Sequence, residues 1–109
     1  MATVIVDAEN VRRSRWPNAS REELVERSRA WAAREGHELR IVFDGNAPEH
    51  APDLVGSPFA DDEIARLAAT LAGPVWVVTS DRGLRARVGR AERVLGGGHF
   101  AQSALGADG

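Results

Sequence analysis

Carboxylates stand at one recurring place in this chain, directly after its β-branched runs. Thr3 to Val6 ends in Asp7, with Glu9 and Asn10 just beyond; Leu39 to Phe43 ends in Asp44; the run from Val75 closes in Thr79-Ser80-Asp81; and Asp61-Asp62 open an amphipathic stretch. Asp is a common turn and cap residue, so any one of these acids has an ordinary structural explanation. Their coincidence is the signal. Carboxylates sharing a crevice repel by roughly 4 kcal/mol per pair at 4 Å and an effective dielectric of 20, so something must compensate: shared protons, an arginine or a hard divalent cation. Oxygen donors are what Mg²⁺ or Mn²⁺ take, usually with several waters retained. Such an ion activates water and neutralises charge on a phosphoryl oxygen, which is the chemistry of phosphodiester hydrolysis.

The elements that must position these acids can be read from periodicity. Thr3–Val6, Leu39–Phe43 and Val75–Thr79 are short runs that are mostly apolar on both faces, as buried parallel strands are, and Arg93–Leu95 is a possible fourth. Ser20-Arg21-Glu22-Glu23 forms a capping box, followed by Leu24, Ser28, Trp31 and Ala32 on one helical face and Gly36 as the stop. Ile64, Leu67, Ala68 and Leu71 predict a second helix from near Asp61 to Gly73-Pro74, and a short third helix follows Asp81 with Leu84 and Val88 inward. Strands alternating with helices predict an α/β fold, three-layer α/β/α with a mainly parallel central sheet. Numbering only these four runs, a strand order of 2-1-3-4 puts the ligand crevice at the carboxyl ends of the strands, where the acids are. The proline-containing stretch from Gly45 to Ala60 reads as a mobile binding loop, and residues 105–109 as a frayed tail of a single domain spanning 1–109.

Composition narrows the classes. The chain has 109 residues, 43 % hydrophobic and 28 % charged, with no cysteine and no apolar run long enough to span a bilayer, which excludes disulfide scaffolds and membrane spans. The N-terminus lacks the basic region of a signal peptide, so the expected compartment is the cytoplasm. The net charge of −2 hides an uneven distribution: residues 12–40 carry eight Arg and five Glu, residues 44–63 carry six acids and no Lys or Arg, and residues 82–93 carry five Arg and one Glu. Basic flanks around an acidic centre suit a phosphate backbone, held by Arg12, Arg13 and Arg15 after the first strand and by Arg82, Arg85 and Arg87 after the third, although solvated helix faces give the same pattern. All 14 basic residues are Arg, which excludes mechanisms that need an amine, including that of receiver-like phosphoacceptor domains.

The residues also resemble a known family. Val4-Ile5-Val6-Asp7-Ala8-Glu9-Asn10-Val11, Trp16-Pro17, Ile41-Val42-Phe43-Asp44-Gly45, Ala60-Asp61-Asp62-Glu63-Ile64 and Val77-Val78-Thr79-Ser80-Asp81 follow one another like the successive motifs of NYN domains, in the YacP-like branch of the PIN-fold ribonucleases. The resemblance runs from about residue 3 to about residue 95. It implies a metal-dependent ribonuclease, an endonuclease, acting on RNA through Mg²⁺ or Mn²⁺. Asp7, Asp61 and Asp81 match the metal ligands, Asp44 a further catalytic acid, and Asn10 the Asn that orients the site. Ser80, Arg12 and Arg82 are expected to touch substrate. Two features depart from the family pattern: Ala8-Glu9 stands where relatives carry Gly and an aromatic residue, and the chain is short, which suggests a homodimer or a larger ribonucleoprotein partner. The alternatives are an RNA-binding or protein-interaction module of the same fold without turnover, and a small-molecule phosphatase.

Other signals are weaker. Gly96-Gly97-Gly98 reads as a flexible turn, since a dinucleotide fingerprint belongs after the first strand, where carboxylates stand instead. His37, His50 and His99 have no zinc-ligand spacing. Neither Ser57 nor Ser80 has a His placed by a motif, so a nucleophilic triad has no support. Trp31 and Trp76 fall on core positions, whereas Trp16 is open to two readings, stacking on a base or packing on Pro17.

Overall fold

A computed structural model describes residues 1–106. The strands are β1 (Thr3–Asp7), β2 (Glu38–Asp44), β3 (Leu54–Ser57), β4 (Val75–Val78) and β5 (Arg93–Leu95). The helices are α1 (Ala8–Arg13), α2 (Arg21–Glu35), α3 (Ala60–Thr70), α4 (Arg82–Arg87) and α5 (Gly97–Phe100), the last running into a π-helical segment, Ala101–Leu105. The five strands form one all-parallel sheet in the order β3-β2-β1-β4-β5. The anticipated order of four runs is present as β2-β1-β4-β5, and β3 is added at the outer edge of β2.

Alternation along the strands divides the core between two layers. Val4 and Val6 of β1, with Ile41 and Phe43 of β2, pack with Val11 of α1, Leu24 and Trp31 of α2, and Phe100 and Leu105 of the C-terminal segment. Ile5, Val42 and Val77 pack instead with Ile64 and Leu67 of α3 and Leu84 and Val88 at α4. Both faces of the central strands are thereby covered, which is why they carry apolar residues without a polar alternation. The capping box holds: the Ser20 side chain accepts from the Glu23 backbone N–H at 3.0 Å, and Gly36 ends α2 with φ +77°, a left-handed conformation that costs glycine nothing. At the sheet's opposite end from the acids, His37 packs between Trp31 and Trp76 with ring centroids 5.6 and 4.4 Å away.

Three expectations are corrected. The stretch from Gly45 to Ala60 is not a free loop: it contains β3, and Arg29 grips Asp53 through two hydrogen bonds of 2.8 and 2.9 Å and Glu49 at 3.2 Å. Gly96-Gly97-Gly98 is not a flexible turn. Gly96 caps α5 and Gly97 is buried, because Phe100 is drawn into the core against Trp31, 4.9 Å between centroids. Leu105, assigned to a frayed tail, is a fully buried core residue; positions 107–109 of that tail lie outside the described residues. Helix α1 carried no periodic signal because it is only six residues long.

Edge strand β3 is held closely against the loop after β2. A Cβ at Gly56 would stand 2.6 Å from the Gly45 carbonyl oxygen and 2.8 Å from the Ala47 nitrogen, both backbone atoms that cannot step aside. Gly56→Ala is therefore expected to destabilise the fold by about 1–3 kcal/mol, read as a lowered midpoint in urea with an unchanged slope. A midpoint equal to the parent's means β3 does not dock as described.

Candidate active site

The parallel register brings the acids to one rim. Val6 of β1 pairs with Val78 of β4, so the next residues, Asp7 and Thr79, are neighbours across the two central strands. Asp7 is 7 % exposed, an unusual place for a carboxylate. Buried Thr79 answers that burial: its hydroxyl donates to Asp7 Oδ2 at 2.9 Å and accepts the Asp81 backbone N–H at 3.1 Å. One hydroxyl thus fixes the orientation of the first acid and the start of the turn carrying another. The Asp81 side chain caps α4, its Oδ1 accepting from Leu84 N–H at 2.9 Å.

Charge repulsion is visible in the acid strengths. Asp7 is pushed above the ordinary carboxyl value of 3.8 mainly by burial, with Asp61 and Asp81 adding to it, while the Thr79 hydroxyl and the Asn10 backbone N–H pull the other way. Asp61 is likewise raised, first by desolvation, then by Asp81, Asp44 and Asp62, with Arg87 opposing. Asp7 and Asp61 therefore both feel the charge of Asp81, and Asp61 that of Asp44 and Asp62 as well. They are not packed within a single tight shell: among the described residues no three His, Cys, Asp or Glu side chains stand close enough together to ligate one ion.

Around Asp44, Asp61 and Asp62 lies an open cleft of about 350 Å³, also walled by Phe59 and Arg87. Arg87 reaches Asp62 Oδ1 at 2.8 Å, which separates the roles of the adjacent acids: Asp62 is ion-paired and Asp61 is not. Phe59 is 69 % exposed beside these carboxylates. Sequence reasoning missed it, since a lone Phe between a proline and a helix start has no periodic partner; the only available signal was its place immediately before Ala60-Asp61-Asp62.

The remaining candidates divide between the rim and the scaffold. Asn10 Oδ1 accepts the Ser80 backbone N–H at 3.0 Å, and Ser80 Oγ accepts the Gly97 N–H at 2.8 Å, so both residues expected at the substrate tie α1, the β4 end and α5 together. The Asn10 carboxamide nitrogen has no protein acceptor among the described residues. A Cβ at Gly97 would collide with Asn10 Oδ1 and Ser14 Oγ, so a larger residue there would have to push the Asn10 carboxamide off the Ser80 N–H. Arg12 is occupied by the scaffold, donating to Glu9 at 2.6 Å and to the Ala19 carbonyl at 2.7 Å. Glu9, the unexplained extra acid, lies between Arg12 and Arg21, the latter 3.8 Å away. Arg82 is exposed and makes no ion pair among the described residues.

Comparison with known proteins bears on the fold. No family model matches the chain, and no curated protein matches it in sequence. Among solved structures, the crystal structure of Rae1 (YacP) from Bacillus subtilis matches with a TM-score of 0.76 at 20 % sequence identity, over 96 % of this chain and 76 % of that one. The chain therefore has a YacP-like, three-layer α/β/α fold, and the acid rim lies at the carboxyl ends of its parallel strands.

Proposed function

We propose that this protein is a metal-dependent ribonuclease that hydrolyses internal phosphodiester bonds of RNA. The observation that carries the reading is the buried Asp7, clamped by Thr79 and raised in pKa partly by Asp61 and Asp81 at the same rim. Two independent likenesses agree with it: the ordered motifs that resemble YacP-like NYN domains, and a fold shared with a protein of the YacP name.

The donor set tests whether Mg²⁺ or Mn²⁺ suits the rim. Its side chains offer oxygen ligands, the kind such cations take, and its uncompensated repulsion has the sign that a cation relieves. Since the carboxylates do not form a tight trio, the fit is to an ion held by one or two of them and otherwise by water, which is how Mg²⁺ is commonly bound. Asp7, Asp61 and Asp81 would hold it, one or two of them directly and the rest through its waters. When bound, such an ion supplies an activated water and neutralises charge on the phosphoryl oxygens. The chain's own groups do the rest. Thr79 keeps the Asp7 carboxylate in one orientation; Asp44, exposed at the end of β2, accepts a hydrogen bond from the attacking water; the Asn10 carboxamide donates to a phosphate oxygen; Arg82 counters backbone charge; and Phe59 provides an apolar wall beside the acids.

Asp7→Asn, Asp61→Asn and Asp81→Asn should each lower kcat on single-stranded RNA under Mn²⁺ by about 10²-fold or more, and EDTA should abolish cleavage by the parent. Thr79→Val should weaken activity or apparent metal affinity by about 10- to 100-fold, the usual effect of removing a group that orients a metal ligand. Retention of parental rates by Asp7→Asn and Asp81→Asn overturns the assignment. Metal-stimulated turnover of a small phosphate ester but not of RNA makes the protein a phosphatase, and RNA affinity without turnover makes it a binding module.

A second prediction concerns stability. A carboxyl raised above its unfolded value binds its proton more tightly in the native state, so native stability falls as pH rises from about 3.8 through the raised value. At neutral pH and without divalent ions, Asp7→Asn should therefore melt higher than the parent, by about 4–8 °C for each kcal/mol relieved. The difference should narrow as pH is lowered toward 4. A variant that melts at or below the parent at pH 7 means that Asp7 carries no unfavourable charge.

A further inference from the structure

Trp16 is 89 % exposed, and an indole left in water contributes little to the fold. Its loop is nevertheless pinned. Arg15 forms a two-pronged bond to Glu23 at 2.7 and 3.1 Å, and Arg12 and Ala19 close the loop's ends, the Ala19 N–H donating to the Arg12 carbonyl at 3.3 Å and Arg12 Nε donating to the Ala19 carbonyl at 2.7 Å. Trp16 lines a cleft of about 570 Å³ together with Ser14, Arg15, Gly98, His99 and Gln102. His99 is a second exposed ring, Gln102 offers an exposed carboxamide with both donor and acceptor, Gly106 also lines the cleft, and among the described residues no carboxylate does. Arg13, exposed just before it, pairs with no carboxylate among the described residues.

The Arg15 charge is matched by Glu23, which leaves a planar ring, a second ring, an amide and the neighbouring Arg13 guanidinium, a set that suits a flat heterocycle on an anionic backbone. We propose that this cleft is a base-binding subsite: an unstacked base of single-stranded RNA lies on Trp16 with its edge toward Gln102, and the adjoining phosphodiester is presented to the acid rim. Helix α1 connects the cleft to the rim. Ser14 Oγ donates to the Asn10 carbonyl at 2.7 Å, and Asn10 in turn holds Ser80 next to Asp81. Asp7 and Ser14 flank α1, and the helix between them covers roughly 10 Å at helical rise, within reach of a neighbouring nucleotide. Bases inside a duplex are stacked and paired, so this subsite selects single strands. The proposal rests on the ribonuclease reading for its substrate.

The test is fluorescence anisotropy of a dye-labelled short unstructured RNA, alone and annealed to its complement, titrated with the full chain and its variants, with tryptophan quenching followed in the parent and cleavage kinetics measured under Mn²⁺. Trp16→Ala should bind the single strand on the order of tenfold more weakly, the typical effect of losing one base–aromatic stack. Its KM should rise by a similar factor with kcat changed little, Trp16→Phe should restore most of the loss, and the melting midpoint should stay at the parent's. His99→Ala should give a smaller loss. If Trp16→Ala binds and cleaves the single strand like the parent, the subsite is overturned and the ribonuclease reading stands. If the parent shows Trp16-dependent binding but cleaves nothing under any divalent ion, the subsite stands and the ribonuclease reading falls. Equal affinity of the parent for duplex and single strand, or no RNA affinity at all, overturns the subsite and leaves Trp16 as a contact for a protein.

Discussion

The site depends on a single hydroxyl. Thr79 donates to a carboxylate that the sheet has buried and accepts from the backbone of the turn that carries Asp81. A buried charge without such a partner is costly enough to neutralise itself or to unfold its surroundings. With it, Asp7 can be held in a defined orientation at the centre of a group of acids that repel one another. The parallel register makes this possible, since it sets the residue after Val78 beside the residue after Val6. The conflict that is left over, expressed in the raised Asp7 and Asp61, is unfavourable for the metal-free fold and favourable for whatever positive charge the rim receives.

Arginine does two kinds of work here, and ion pairing separates them. Arg12 and Arg21 surround Glu9, Arg15 fastens its loop to Glu23, and Arg29 holds the stretch before β3 through Asp53, whose acid strength is increased by that bond. These pairs are partly exposed and individually modest in energy. Their effect is geometric: they immobilise the loops on one side of the strand ends. Arg87 pairs directly with Asp62, while its charge offsets only part of the repulsion felt by Asp61. Arg13, Arg27, Arg82 and Arg85 make no ion pair among the described residues, and of these Arg82 and Arg85 lie on α4, directly after Asp81.

The C-terminal segment shows how packing overrides local preference. Three consecutive glycines favour a flexible turn in any reading by propensity. Two lie in a helix because Phe100 and Leu105 find space in the core beside Trp31 and because a glycine passes Asn10 and Ser14 without displacing their side chains. The resulting contact joins Gly97 to Ser80 and therefore to the site. Likewise, β3 was obscured because Leu54-Val55-Gly56-Ser57 is short, contains a glycine and follows two prolines, and it becomes a strand only by pairing with β2. No helix among the described residues is long and apolar enough to cross a membrane.

The sequence by itself determined the elements that carry a period or a cap: the central strands, the boxed helix α2, the amphipathic α3, and the placement of Asp7, Asp44 and Asp81 at strand ends. These follow from side-chain patterns that repeat along the chain and are legible without knowing what lies opposite. The tertiary structure alone decided which acids stay free and which are paired, that Arg12 and Glu9 belong to the scaffold, that Phe59 stands at the acidic cleft, and that Trp16 and His99 line a second one. Those outcomes depend on residues far apart in the chain meeting across strands and loops, and an ion pair or a close approach of that kind leaves no periodic trace in either partner's neighbourhood.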